Sequence, residues 1–150
     1  MRLGTLAEVI GRGIVAGIVG TAAMTVSSTA EMKLRGREAS TTPAKVAGKV
    51  LGVRPKGERE KQRFSNLVHW GYGTVWGIPR GLLAAAGLKG AAADAAHFGL
   101  IWGTALVMLP AAGAAPPATQ WGAKTLAIDA FHHIVYVTAA GLAYCWLERH

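Results

Sequence analysis

Residues 91–112 read AAADAAHFGLIWGTALVMLPAA. The stretch holds one acid and one histidine among small and large apolar residues. At about 1.5 Å per residue, a helix of this length covers the roughly 30 Å of hydrocarbon in a bilayer. The stretch therefore predicts a transmembrane helix, and this prediction decides the fold class of the chain.

Three further stretches have the same character, at about residues 13–32, 64–88 and 124–147. Hydrophobic residues make up 51% of the chain and charged residues 16%, which is too apolar for a soluble domain of this length. We therefore predict an all-α, polytopic membrane protein, a single transmembrane domain over residues 1–150 with four transmembrane helices. The one cysteine, Cys145, excludes an intramolecular disulfide and a cysteine-based metal site within one chain.

Positive charge is concentrated in the basic loop, residues 33–63, which holds ten of the sixteen lysine and arginine residues. Inside this loop Val46 and Val50 recur at helical spacing opposite Lys45 and Lys49, which predicts a short amphipathic helix on the membrane surface. Because the loop is attached to membrane spans, we expect it to contact anionic lipid headgroups rather than nucleic acid.

The distribution of lysine and arginine also predicts the topology. With four spans, the basic loop and Lys124 lie on one side of the membrane, and that side carries eleven basic residues against five on the other. The positive-inside rule places this side in the cytoplasm and both termini outside. If the fourth segment did not insert, the C-terminus would stay in the cytoplasm.

Glycines recur at four-residue intervals in three of the predicted spans, and such ridges of small residues let helix backbones approach closely in a membrane. The ridges are Gly13 with Gly17, Gly73 with Gly77 and Gly81, and Gly99 with Gly103. They predict either a tightly packed bundle or a seam between copies of the chain. Four short helices enclose little volume, so a homo-oligomer is expected if a solute crosses the protein.

An asparagine or aspartate precedes a histidine by three residues near the start of three spans. The pairs are Asn66 with His69, Asp94 with His97, and Asp129 with His132. At this spacing both side chains lie on one helix face, so the acid or amide can orient the imidazole. Aspartate and asparagine also cap helices, which alone would explain two of the pairs. Asp129 follows apolar residues and needs a partner.

The helix rise places these residues in two polar layers, and the residues of such layers are candidates for binding or proton relay. The inner layer lies in the cytoplasmic half and contains Glu31, Asn66, His69, Asp129, His132 and His133. The outer layer contains Arg80, Asp94 and His97.

Three classes of function fit such layers. The leading one is a non-enzymatic transporter, channel or accessory subunit that handles protons or a small ion. The second is a redox module in which histidines bind haem or a metal ion, with His69, His132 and His133 as the predicted ligands. The third is a structural or assembly factor. No catalytic residue is predicted, because Ser27 and Ser28 have no arranged base.

Four short runs carry a family resemblance. They are HWGYGTVWG at residues 69–77, HFGLIWG at 97–103, LPAAGAAPP at 109–117 and HHIVY at 132–136. The chain resembles small, uncharacterised integral membrane proteins of bacteria, especially actinobacteria. The resemblance implies a four-helix architecture in the bacterial inner membrane, and it implies no activity.

Overall fold

The computed structural model describes residues 3–36, 42–53 and 55–150. These residues form helices joined by turns, without any strand, which confirms the predicted all-α class. The helices are α1 Leu3–Arg35, α2 Thr42–Leu51, α3 Glu58–Ala85, α4 Gly90–Ala111 and α5 Ala123–Leu147. A single 3₁₀ turn, Ala118–Gln120, lies between α4 and α5.

Three of these helices, α1, α4 and α5, are long and apolar enough to cross a membrane. The predicted spans at about 91–112 and 124–147 match α4 and α5 closely, whereas α1 begins at Leu3, well before the predicted start at residue 13. Helix α3 is less apolar because charged residues occupy its first turns and polar residues recur along it. The fourth span is therefore not confirmed.

The first two glycine ridges interlock where α1 packs against α3. A Cβ atom on Gly13 would lie 2.8 Å from the carbonyl oxygen of Gly77, and a Cβ on Gly77 would overlap the backbones of Gly13 and Gly17. A Cβ on Gly81 would meet the carbonyl oxygen of Val9. The two backbones touch with no side chain between them, as the spacing predicts.

Helix α1 also packs against α5, and a small apolar core fills the space between them and α4. Its buried residues are Ala16, Ile101, Tyr136, Val137, Ala140 and Tyr144. The third ridge behaves differently, because nothing lies within 4 Å of a Cβ built on Gly99 or Gly103. This ridge therefore faces outward on α4 and does not pack within the bundle, so of the two predicted roles only a seam between copies is left for it.

The short helix α2 forms within the basic loop as predicted, and it packs on the bundle through Val46, which is buried. Lys49 donates hydrogen bonds to the carbonyl oxygens of Ala112 (2.7 Å) and Gly113 (3.4 Å), just past the end of α4. The loop after α1 therefore meets the loop after α4 at one end of the bundle, which we call the α2 end. Residues 37–41 and 54 of the predicted basic loop lie outside the described residues.

Candidate functional site

Polar side chains line the inside of the bundle from the α2 end to the opposite end, where α3 turns into α4. We call this arrangement the polar column and the second end the α3–α4 end. Its members are Thr21, Thr25, Ser27, Glu31, His69, Arg80, Asp94, His97, His132 and Tyr136. Six of them belong to the predicted layers, and the other four are hydroxyl residues.

Two histidines near the α2 end are held by hydroxyl groups of α1. The Nε2 atom of His69 on α3 lies 2.9 Å from Thr25 Oγ1, and the Nδ1 atom of His132 on α5 lies 2.9 Å from Ser27 Oγ. Thr25 and Ser27 are two residues apart, so one stretch of α1 ties down both neighbouring helices.

The hydrogen bonds of the hydroxyls fix the tautomers of these histidines. Thr25 Oγ1 donates to the carbonyl of Thr21 (2.7 Å), and Ser27 Oγ donates to the carbonyl of Met24 (3.0 Å). A hydroxyl has one proton, so these bonds and the histidine bonds form together only when the imidazoles donate. His132 thus lies beside Ser27, but it donates to the hydroxyl and does not take its proton, so it is not an arranged base. This is not the arrangement that activates a nucleophile.

Tyr136 and Thr21 fill the middle of the column. Tyr136, 1% exposed, donates a 2.6 Å hydrogen bond from its hydroxyl to the carbonyl of Gly73 on α3. Thr21 donates to the carbonyl of Gly17 (2.7 Å), and its side chain lies against Gly73. Because Gly73 has no side chain, both groups reach the backbone of α3.

His97 occupies the next level and is fully buried. Its Nε2 atom donates to the carbonyl of Trp76 on α3 at 2.8 Å, and its ring meets the ring of Tyr136 edge-on at 5.8 Å between centroids. The Nε2 atom must carry the proton because a carbonyl only accepts. The Nδ1 atom is buried and has no hydrogen-bond partner among the described residues.

At the α3–α4 end, the buried Arg80 forms an ion pair with the partly exposed Asp94. Arg80 is 1% exposed, and its Nε atom lies 3.3 Å from Asp94 Oδ1 on α4. The guanidinium also lies 5.0 Å above the ring centroid of Tyr144, and Nη2 is 3.6 Å from the sulfur of Cys145. The carboxylate of Asp94 packs against Gly141, where any larger residue would collide with it. The predicted outer layer of Arg80, Asp94 and His97 thus gathers where α3, α4 and α5 meet.

Asp129 does not point into the column. Its Oδ2 atom accepts a 2.8 Å hydrogen bond from Nε1 of Trp102 on α4 and lies 3.7 Å from Nδ1 of His133. That Nδ1 atom donates to the backbone carbonyl of Asp129 at 2.8 Å. The carboxylate therefore links α5 to α4 and touches a histidine, as expected of an acid that needs a partner in an apolar helix.

Of two other residues of the predicted inner layer, one lies outside the column and one belongs to it. Asn66 is exposed on α3, and Glu31 forms an ion pair with Arg35 one turn later on α1 (2.7 Å). The histidines that follow Asn66 and Asp94 bond to neighbouring helices, His69 to Thr25 and His97 to the carbonyl of Trp76. The hydrogen bonds of His69 and His97 therefore do not support the prediction that Asn66 and Asp94 orient their imidazoles.

The predicted metal ligands do not converge. Within residues 3–36, 42–53 and 55–150, no three histidine, cysteine, aspartate or glutamate side chains lie close enough together to hold a metal ion. Among the predicted ligands, His69 and His132 are already bonded to hydroxyls of α1, and His133 to its own helix. The described residues thus offer no preformed three-ligand metal site, and haem binding stays a prediction.

Each end of the column borders a cleft. At the α2 end a cleft of about 360 Å³ is lined by Ser27, Ala30, Glu31, Leu34, Arg35 and Phe131. At the other end the α3–α4 cleft, about 390 Å³, is lined by Arg80, Leu88, Lys89, Cys145, Glu148 and Arg149. Ionisable residues of the column therefore lie at surfaces that small solutes can reach.

The sequence alone does not predict that hydroxyl residues bond to the histidines and to the backbone of α3. Thr25, Ser27 and Tyr136 are common residues in membrane helices, and only their position opposite a histidine or a glycine makes them part of the column. The Thr-Val-Ser-Ser-Thr run of residues 25–29 is the available signal, since it makes the α2 end of α1 polar.

Comparison of the chain with family models, curated proteins and solved structures finds no match. The resemblance to small actinobacterial membrane proteins accordingly stays a prediction. The function has to be argued from the geometry of the column.

Proposed function

We propose that the protein is a small integral membrane protein in which α3 is a fourth transmembrane helix and the polar column conducts protons. The observation that carries this proposal is the set of buried and partly buried polar groups that follow one another through the interior of a bundle with apolar outer faces.

The surface of α3 supports a fourth span. Large apolar side chains on this helix face outward, and Leu67 (71% exposed) and Val75 (58% exposed) are the clearest examples. The ionic Arg80 on the same helix is buried against Asp94. A helix in water exposes charges and buries leucine and valine, so this inverted pattern suits a lipid environment.

The topology follows from the same proposal. With α1, α3, α4 and α5 all spanning, the loops that meet at the α2 end share one side of the membrane, and the positive-inside rule places their lysines and arginines in the cytoplasm. Both termini then lie outside, in a bacterial inner membrane, with the basic loop on anionic headgroups. A reporter that is active only in the cytoplasm, fused after His150, should be silent. Activity of that fusion would contradict the four-span topology.

The chemistry of the column supports proton transfer. Imidazole, carboxylate and hydroxyl groups bind and release protons or pass them along hydrogen bonds, and such chains occur in membrane proton relays. From the α2 end the order is Glu31, Ser27 with His132, Thr25 with His69, Tyr136, His97 and then Asp94 with Arg80. We propose that water molecules join successive groups, because several side chains are bonded to backbone carbonyls rather than to each other.

Serine-to-alanine variants on one helix test the proposal. Ser27→Ala removes the hydroxyl that accepts from His132, whereas Ser28→Ala removes a hydroxyl that donates only to the carbonyl of Thr25 in its own helix. In liposomes with an imposed pH gradient, the wild type and Ser28→Ala should dissipate the gradient. The Ser27→Ala protein should be roughly 10²-fold slower, the lower end of what one positioned proton-transfer group contributes. No flux in the wild type, or equal flux in the two variants, would refute proton conduction.

The same hydrogen bonds favour a second candidate, a structural or assembly subunit. Each of the bonds from Thr25 to His69, from Ser27 to His132 and from Tyr136 to Gly73 joins two different helices. Such bonds hold membrane helices together without any transport. Loss of stability in Ser27→Ala, with a wild type that carries no protons, would select this candidate. The exposed ridge of Gly99 and Gly103 would then be a natural surface for a second copy of the chain.

A further inference from the structure

We propose that the α3–α4 cleft is a binding site for a phosphate group. The cleft shares Arg80 with the polar column, but phosphate binding does not require proton conduction. Its lining contains three cationic side chains, from Arg80, Lys89 and Arg149, and one carboxylate, from Glu148. A volume of about 390 Å³ is far larger than a bare halide needs and accommodates a phosphate with its substituents.

Arg80 is the central observation. Its side chain lines the cleft although it is 1% exposed, and the Nε and Nη1 atoms have no hydrogen-bond partner among the residues that the structure describes. The ion pair with Asp94, at 3.3 Å from Nε, balances the charge of the guanidinium without satisfying Nη1. Buried guanidinium N–H groups without acceptors are costly, and a phosphate oxygen is an acceptor that matches their planar geometry.

The start of α4 adds donors at the same place. Leu88 and Lys89 line the cleft and directly precede this 22-residue helix, and the N-cap residue Lys89 makes no side-chain capping hydrogen bond. The first N–H groups of the helix are therefore left for another acceptor, and a helix N-terminus favours an anion.

The rim of the cleft supplies exposed positive charge. Lys89 and Arg149 are exposed and form no ion pair within the described part of the chain. They can close over an anion whose other side is held by the guanidinium and the helix start. A phosphate monoester or diester fits this donor set, whether it comes from a lipid headgroup or from a soluble phosphate.

The test uses the full-length protein in a neutral detergent. The variant Lys89→Gln/Arg149→Gln removes both rim charges, and Arg63→Gln/Lys124→Gln removes one arginine and one lysine at the α2 end as a matched control. Native mass spectrometry measures retained phosphatidylglycerol against phosphatidylcholine. Thermal unfolding in sodium phosphate, against sodium chloride at equal ionic strength, measures binding of free phosphate.

We expect the wild type and the α2-end control to bind the anion at least about tenfold more tightly than the rim variant, since the rim variant loses two charge-assisted contacts to the anion. Selective retention of phosphatidylglycerol identifies a lipid headgroup as the source. Stabilisation by phosphate alone identifies a soluble anion. No preference for either probe, or an equal loss in the two double variants, would overturn the site. Because neither rim residue belongs to the polar column, this outcome is independent of the flux assay.

Discussion

Replacement of Gly77 by alanine is the most direct test of how the bundle is held together. Gly77 lies where α3 crosses α1, and a Cβ atom there would overlap the carbonyl oxygen of Gly13 and the backbone of Gly17. These are backbone atoms, so no rotamer change can make room. The two helices would have to separate, and the contacts on both sides of the crossing would loosen with them.

The size of the effect follows from two opposing terms. Overpacking a tight contact costs about 1–3 kcal/mol. Alanine in place of glycine in a helix gains about 1 kcal/mol at most in water. Because the clash at Gly77 involves backbone, we expect the upper part of the range to apply, and a net loss of about 2 kcal/mol. That loss corresponds to a roughly 30-fold change in the unfolding equilibrium constant.

A glycine on the same helix provides the control. Gly71 is exposed and a methyl group there would meet nothing within 4 Å, so Gly71→Ala changes helix propensity alone. Reversible unfolding by SDS in mixed micelles, followed by tryptophan fluorescence, gives both free energies. We expect Gly71→Ala to be neutral or slightly stabilising and Gly77→Ala to be clearly destabilised. Equal stability of the two variants would refute the interlocked ridges and place Gly77 against lipid.

Three further substitutions test the polar contacts. Trp102→Phe removes the donor to Asp129 and should lower the free energy of unfolding by about 1–3 kcal/mol. Unfolding followed by circular dichroism measures this loss, and Trp70→Phe is the control. An unchanged stability would argue against that bond. Tyr136→Phe keeps the ring but loses the hydroxyl, so it should lower the free energy of unfolding by about 0.5–1.5 kcal/mol and slow proton flux. Unchanged flux would show that Tyr136 is not part of the proton pathway. Asp129→Asn still accepts from Trp102, so it should fold normally, and normal flux would limit Asp129 to a structural role.

The helices and their tightest contact could be predicted from the sequence because they depend on local and periodic signals. Long, mainly apolar stretches predict α4 and α5, and four-residue glycine spacing identifies the surfaces of α1 and α3 that meet. The same spacing does not mark a contact within the bundle for Gly99 and Gly103, which face outward. Spacing shows that a backbone can be approached closely, and it does not show whether another helix is there.

The site was less predictable because its contacts depend on how each helix is rotated about its axis. The depth of a residue follows from the helix rise, and this is why the sequence places Arg80, Asp94 and His97 in one layer. Which side chains meet at a given depth depends on rotation. Thr25 and Ser27 therefore cannot be identified from spacing, although they are the observed partners of His69 and His132.

The glycine ridges and the polar column depend on each other. Gly73 is one residue of the ridge, and its missing side chain lets Tyr136 reach the carbonyl of α3 and lets Thr21 fill the remaining space. Gly141 has the same role on α5. Its missing side chain leaves room for the carboxylate of Asp94, which lies against the helix backbone and pairs with Arg80. A larger residue at either position would push a polar group of the column away from its partner, and unpaired polar groups are costly in an apolar interior. The small residues thus set the helix separation at which the interior hydrogen bonds form, and those bonds in turn fix the rotation that keeps the ridges face to face.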